Sequence, residues 1–203
     1  MGKIAQNKKA KEEALFRTAF ELFTTKGIEK TTISDIVEKA GVAKGTFYLY
    51  FKDKSNIRDK LVTYETGRLF FRAHEALEQT AIQGFENQLF FILDYILKEL
   101  DNNHALLEFI SKNLSWGLYR SAYVEHSYNE KEYYQPYKEY LQLLEKSEKK
   151  YTNPDLLLFT IIEMVGATGY GCILYQKPVS LTEYLPYLHK AIQGILESFT
   201  EKK

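Results

Sequence analysis

The chain has 203 residues, 45% of them hydrophobic and only four of them proline, which excludes an intrinsically disordered protein and allows a well-buried core. Its single cysteine excludes an intrachain disulfide framework and a zinc site built on thiolates, and favours a reducing cytoplasm. The net charge of zero hides an asymmetry. Residues 1–60 have 13 Lys and Arg against 8 Asp and Glu, a net charge of +5, and residues 61–203 have 14 against 19, a net charge of −5. We therefore expect only the N-terminal part to attract a polyanion.

The chain begins with a polar, basic arm over residues 1–9, which we expect to be mobile when no polyanion is bound. It has no apolar segment typical of a signal peptide. A first helix is predicted over about Lys11–Lys26, ended by Gly27, because one of its faces is apolar at Leu15, Phe16, Ala19, Phe20 and Phe23.

Residues 31–54 have the pattern of a helix-turn-helix. Thr32 and Asp35 have the spacing of a capping box, which begins a short helix with apolar residues at Ile33, Ile36, Val37 and Ala40. Gly41 stands at the sharp turn, where a positive φ is needed. A third helix follows over about Lys44–Phe51, burying Phe47 and Phe51. Such a helix fits the major groove of B-DNA.

Four short stretches carry a resemblance to a known family: Thr32-Ile33-Ser34-Asp35-Ile36, Ala40-Gly41-Val42, Lys44-Gly45-Thr46-Phe47-Tyr48 and Tyr50-Phe51-Lys52-Asp53-Lys54. They closely resemble the DNA-binding domain of TetR-family transcriptional regulators. The resemblance covers about residues 8–60. It implies double-stranded DNA as partner, contacted by Lys44, Gly45, Thr46, Tyr48 and Lys54.

Two further hydroxyls belong to the residue types that donate to phosphates, those of Thr32 and Tyr50, although packing is an equal alternative for Tyr50. Ala43 departs from the family, which commonly places a capping Ser there, and the absence of this cap costs about 1 kcal/mol.

The remainder is predicted to be helical, which gives an all-α protein of about nine helices: a helix-turn-helix head at 1–53 on a larger ligand-binding and dimerisation body at 54–203. Its apolar runs, around Leu89–Leu97 and Leu156–Val165, are broken by Asp94 and Glu163 and fall short of the ~18 residues of a membrane span. The first predicted helix of the body runs from Asp53 or Ser55 toward Thr80, the second from Gly84 to about Leu100, and a shorter third one ends at about Tyr119. A Tyr-rich segment then extends to about Lys150. The last two helices cover Pro154–Tyr175 and about Thr182–Phe199.

The body is rich in aromatic residues: 14 of the 16 tyrosines and the one tryptophan follow residue 60. An aromatic core explains most of them, yet an apolar cavity with a few hydroxyls also suits a small aromatic or lipophilic effector. Glu163, a carboxylate in an apolar helix, needs a partner if it is buried, and a cationic effector, another side chain or a solvated edge would each serve. The candidate lining residues are Phe70, Phe91, Tyr95, Phe109, Trp116, Tyr119, Tyr123, Tyr137, Glu163 and Tyr170.

The last two predicted helices offer a homodimer face, or else they close the core of a monomer. The resemblance implies a dimer, since TetR-family dimers pair these helices into a four-helix bundle. A two-fold dimer implies a palindromic operator. The candidate interface residues are Ile162, Gly166, Gly169, Ile173, Leu188, Ile192, Ile195 and Phe199.

Patterns typical of enzymes are incomplete. Gly166–Gly171 is glycine-rich but has no phosphate-loop Lys, and His74-Glu75 has no second histidine at zinc-site spacing. We therefore expect no enzyme, metal, cofactor or membrane partner. The prediction is a cytoplasmic regulator, a repressor released from its operator by an effector. The alternatives are an activator, a DNA binder of low specificity, or, in a different class, a small-molecule-binding or enzymatic bundle whose head reads no DNA.

Overall fold

The computed structural model describes residues 3–111 and 135–201, with only the backbone of residues 3–5. Over these two ranges the chain forms nine helices and no strand, apart from an isolated bridge between Tyr151 and Thr200, so the predicted all-α fold is confirmed. The helices are α1 (Lys3–Thr25), α2 (Ile33–Ala40), α3 (Lys44–Tyr48), α4 (Lys54–Glu78), α5 (Phe85–Asp101), α6 (His104–Ile110), α7 (Pro136–Glu145), α8 (Pro154–Tyr175) and α9 (Leu181–Phe199).

The chain divides into two compact units, Met1–Val62 and Thr63–Lys203, with the division inside α4. We call the first the head and the second the body. The domain boundary predicted at residues 53 and 54 stays a prediction.

The head is built around α1, which packs against α2, while α2 packs against α3. Its core consists of apolar side chains that are almost wholly buried: Leu15, Ala19, Ile36, Phe47, Phe51 and Ile57. Phe51 joins the helices, since its ring centroid lies 5.3 Å from that of Phe16 and 5.4 Å from that of Phe47. A five-residue helix such as α3 cannot be stable alone, so this burial is what holds it in place.

Two helix boundaries in the head differ from the prediction. Helix α1 begins at Lys3, so residues 3–9 are helical and do not form the expected mobile arm. The physical reason is that Lys, Gln and Ala are good helix formers and no Gly or Pro interrupts residues 3–10. Helix α3 ends at Tyr48 rather than Phe51, because the chain tightens where Tyr50 N–H donates to the carbonyl of Phe47 at 3.0 Å.

The body is organised around α5, which contacts α6, α8 and α9, and α8 in turn lies against α9. Helix α8 approaches α5 closely at Gly169, where an added Cβ would lie only 2.8 Å from Cδ2 of Leu97. Cys172 on α8 is 2% exposed, and burial raises the pKa of its thiol. Both features place the glycine and the cysteine of α8 in the interior of the protomer.

Helix α8 is, by length and composition alone, apolar enough to cross a membrane, with a mean hydropathy of 1.7 over 18 residues. The expectation that Glu163 keeps this apolar run shorter than a membrane span is corrected, because the apolar stretch continues on both sides of that one carboxylate. The core helix of a soluble protein meets the same criteria, and 44% of this stretch is buried inside the protein.

We predict that Gly41→Ala lowers the free energy of unfolding by about 1–2 kcal/mol, because Gly41 ends α2 in the left-handed region with φ +67° and ψ 34°. Urea unfolding followed by circular dichroism measures this. Gly45→Ala is the matched control: its φ is not positive and an added Cβ meets nothing within 4 Å, so it should raise stability by about 0.5–1 kcal/mol. Equal losses of stability in both variants would contradict the assignment.

Candidate nucleic-acid interface

Thr32 begins α2 with the capping box that the sequence predicts. Its Oγ1 accepts from the backbone N–H of Asp35 at 3.1 Å, and Asp35 Oδ2 accepts from the N–H of Thr32 at 2.8 Å. Lys26 Nζ donates to the same carboxylate at 2.7 Å and, as the largest cause, lowers the pKa of Asp35 to about 2. The Thr32 backbone and side chain also form hydrogen bonds to this carboxylate that help to lower its pKa, so the hydroxyl is engaged within the head.

Helix α3 divides its side chains between two faces. Phe47 is fully buried, whereas Lys44, Gly45 and Tyr48 lie on the exposed face and Thr46 is half-buried. Ala43 supplies no side-chain cap, as its residue type requires. The structure thus brings Lys44, Gly45 and Tyr48 together on one open surface, which we call the α3 face.

Tyr50 is half-buried beside this surface, with its hydroxyl donating to the carbonyl of Lys8 on α1 at 3.0 Å. Burial, with a smaller effect of Glu12, raises the pKa of the Tyr50 phenol. Because a phosphate only accepts at neutral pH, Tyr50 would have to give up the bond to Lys8 to donate to one. The structure therefore favours the packing alternative for Tyr50.

Lys54 is partly engaged within the head: its Nζ donates to the carbonyl of Ile28 at 2.8 Å and to that of Glu29 at 3.5 Å. The ammonium group has three donors, so at least one remains for DNA. The sequence did not indicate this anchoring role, because Lys54 and Ile28 lie 26 positions apart and no local signal connects them.

The charge of the interface is positive. The head, Met1–Val62, has 13 Lys and Arg against 8 Asp and Glu, a net charge of +5. Lys44 and Lys52 are exposed beside α3. Within residues 3–111 and 135–201, no group of three or more His, Cys, Asp and Glu could hold a metal ion.

The ligand-pocket candidates are not gathered around one cavity in the described residues. Phe70 and Phe109 are buried in the body, while Phe91, Tyr95, Tyr137 and Tyr170 are half-buried. Phe91 and Tyr95 stack with their centroids 6.5 Å apart, and Tyr137 donates to Asp155. Trp116, Tyr119 and Tyr123 lie outside the described residues.

Glu163, one of the candidate lining residues, lies on the exposed face of α8. Its exposure agrees with the solvated edge named as an alternative. Its apolar neighbours in the sequence, Ile162 and Met164, occupy other faces of the same helix.

A small apolar cavity of about 20 Å³ lies among α5, α6 and α8. That volume holds about one water molecule and is far below that of a ligand pocket. Of the candidates in the described ranges, Tyr170 lines this cavity. Its walls are otherwise chiefly aliphatic, with Ile96, Leu97, Leu100, Leu107, Ile110 and Ile173.

The dimer candidates are mostly interior. Five are buried within the protomer, namely Ile162, Gly169, Ile173, Leu188 and Ile192, whereas Gly166, Ile195 and Phe199 are half-buried. The residues of α8 and α9 that can meet another molecule are instead the exposed ones, including Leu156 (56% exposed), Phe159 (47%) and Tyr187 (67%). The sequence did not single out Leu156 and Phe159, because α8 is apolar on every side and its pattern does not show which side is exposed.

The comparisons with known proteins agree with this geometry. Residues 15–61 match the model of the bacterial regulatory proteins of the tetR family. The chain is 31% identical over 137 residues to the HTH-type transcriptional regulator YvdT of Bacillus subtilis, and 30% identical over 102 residues to the fatty acid metabolism regulator protein of the same organism. These matches cover 65% and 50% of the chain, and only 63% and 53% of the two relatives.

Among solved structures, the fold is similar to that of the transcriptional regulator FadR from Bacillus subtilis in complex with stearoyl-CoA. The TM-score is 0.55 at 20% identity, over 89% of this chain and 97% of that one. Two helices that pack together and hold a short third helix with one exposed face form a helix-turn-helix unit. Residues 15–61 thus match the TetR family of bacterial regulatory proteins, and the relatives named above share that class.

We predict that the head becomes less stable as the pH falls from about 4 toward 2, because the lowered pKa of Asp35 favours the folded state wherever the carboxylate is ionised. Asp35→Asn removes this ionisation and should flatten that part of the pH profile. Urea unfolding at several pH values in this window measures the difference, and parallel profiles for the two proteins would contradict it.

Proposed function

We propose that this protein is a DNA-binding transcriptional regulator that inserts α3 into the major groove. The observation that carries the proposal is the α3 face, with Lys44, Gly45 and Tyr48 exposed while Phe47 anchors the helix from behind. The net charge of +5 on the head attracts a polyanion, and the relatives described above are all named as regulators, none as an enzyme.

Gly45 supports this role because the fold itself does not require it. Its φ is not positive and nothing lies within 4 Å of the position of an added Cβ. A glycine at an exposed helical position costs about 0.5–1 kcal/mol relative to alanine. Close approach to DNA explains why this position lacks a side chain.

We further propose that the protein binds a palindromic operator as a homodimer. One five-residue helix makes few base contacts, so useful specificity needs two heads. The exposed apolar side chains Leu156, Phe159 and Tyr187 on α8 and α9 support a face for the second copy, with exposed Ala167 allowing close approach. Size-exclusion chromatography with light scattering tests this directly.

The effector that we propose is lipophilic and carries a hydrocarbon chain. One relative is named as a fatty acid metabolism regulator, and a solved structure of similar fold, FadR, contains stearoyl-CoA. The aliphatic cavity among α5, α6 and α8 suits such a chain chemically. Because the cavity holds about one water, binding must move its walls, and a ligand can shift a regulator only by preferring one conformation. We propose release of a cytoplasmic repressor as the outcome.

The experiment that tests the DNA-binding function is selection of bound fragments from the source genome by the purified protein. An enriched palindrome bound by a dimer supports the proposal. Absence of enrichment, after unfolding and refolding to remove any bound ligand, would contradict it.

We predict that Lys44→Ala weakens binding to operator and unrelated DNA alike, because Lys44 neutralises a phosphate. The slope of log K against log salt concentration should fall by about 0.9 for each phosphate that is no longer neutralised. Thr46→Ala should instead change the base preference. Fluorescence anisotropy at several salt concentrations measures both. The charge-matched control is Lys138→Ala, which removes an exposed lysine from α7 of the body. An equal loss of DNA affinity in that variant would contradict the assignment of Lys44 to a phosphate.

We predict that acyl-CoA esters raise the melting temperature and weaken operator binding, more strongly as the acyl chain lengthens. Each buried methylene contributes about 0.8 kcal/mol. Coenzyme A without an acyl chain is the control and should have no effect. Val165→Leu, which adds one methylene to the cavity wall, should reduce the response to long chains. A response to coenzyme A alone would contradict a hydrocarbon effector. So would the absence of any response to acyl-CoA esters of every chain length.

A further inference from the structure

Leu49 is the most exposed large apolar side chain in the part of the chain that the structure describes, at 77%. It follows α3 directly, with helical dihedral angles of φ −72° and ψ −22°. Its neighbours in sequence behave differently, since Phe47 and Phe51 are 0% and 1% exposed. The packing of the head therefore gives no reason for a leucine at this position.

The position of Leu49 on α3 suggests what it contacts. In helical backbone, residues four apart lie on the same face, and a side chain leans toward the N-terminus of its helix. Leu49 therefore shares the α3 face with Gly45 and leans toward it. Nothing lies within 4 Å of the place where a Gly45 side chain would begin. The missing side chain leaves room for Leu49 to approach a surface that α3 meets.

The charge around Leu49 indicates DNA rather than another protein copy. Lys44 and Lys52 are exposed on either side of it in the sequence, and the head has a net charge of +5. A second head with the same charge would be repelled, whereas a polyanion is attracted. Leucine offers no hydrogen bond, and the apolar group that the major groove presents is the C5-methyl of thymine.

We infer that Leu49 contacts a thymine methyl group in each operator half-site and so determines base specificity by an apolar contact. This inference rests on the proposed DNA-binding function. Tyr48, which is 53% exposed on the same face, has a hydroxyl for a phosphate, so the two neighbours divide positioning and base recognition between them.

The test replaces each thymine of the selected operator, one at a time, by deoxyuridine, which lacks only the methyl group. At one position in each half-site, this change should weaken binding of the unmodified protein about fourfold, the value expected for one buried methyl group. Leu49→Ala should bind the thymine operator more weakly and show no difference between thymine and deoxyuridine there. Leu49→Met, which keeps an apolar side chain, should retain the difference.

Two controls distinguish the loss of the thymine contact from the loss of a phosphate contact and from unfolding. Lys44→Ala should weaken binding to both operators alike, and Leu49→Ala should melt at the same temperature as the unmodified protein, because an exposed side chain leaves the core intact. The inference is overturned if no thymine shows the effect, if the effect persists in Leu49→Ala, or if Leu49→Ala weakens both operators equally, which would indicate a backbone contact. A protein that selects no DNA at all overturns the proposed function, and this inference with it.

Discussion

The burial of Phe47 and Phe51 is the interaction on which the recognition surface depends. Helix α3 has five residues and no side-chain cap at Ala43, so its own hydrogen bonds cannot maintain it. Two phenylalanines one turn apart, in contact with Phe16 of α1, fix its orientation. The opposite face, with Lys44, Gly45 and Leu49, is thereby left open to solvent.

Local signals explain why the helices of the head were predictable from sequence. A capping box at Thr32, a left-handed glycine at Gly41 and the spacing of Phe47 and Phe51 are signals that act within four residues. What the sequence could not show in the head were contacts between distant residues. The hydroxyl of Tyr50 meets the carbonyl of Lys8, and Lys54 meets Ile28, across 42 and 26 positions of sequence.

In the body, sequence patterns located the helices but not their faces. Helix α8 was predicted at its observed bounds, Pro154–Tyr175, yet its apolar residues surround the axis, so periodicity could not show that Ile162 faces inward and Phe159 outward. The side on which Glu163 lies was left open for the same reason. Only the packing partners of α8, which are α5, α6 and α9, determine its buried side, and they come from separate parts of the chain.

The buried state of Cys172 has a practical consequence for studying this protein. The only thiol in the chain is 2% exposed, and its raised pKa keeps it in the unreactive protonated form. A second cysteine placed at an exposed position of the head, such as Glu38, would react with a spin label or fluorophore while Cys172 stays silent. Distances between the heads of two associated copies would then be measurable without altering the native interior.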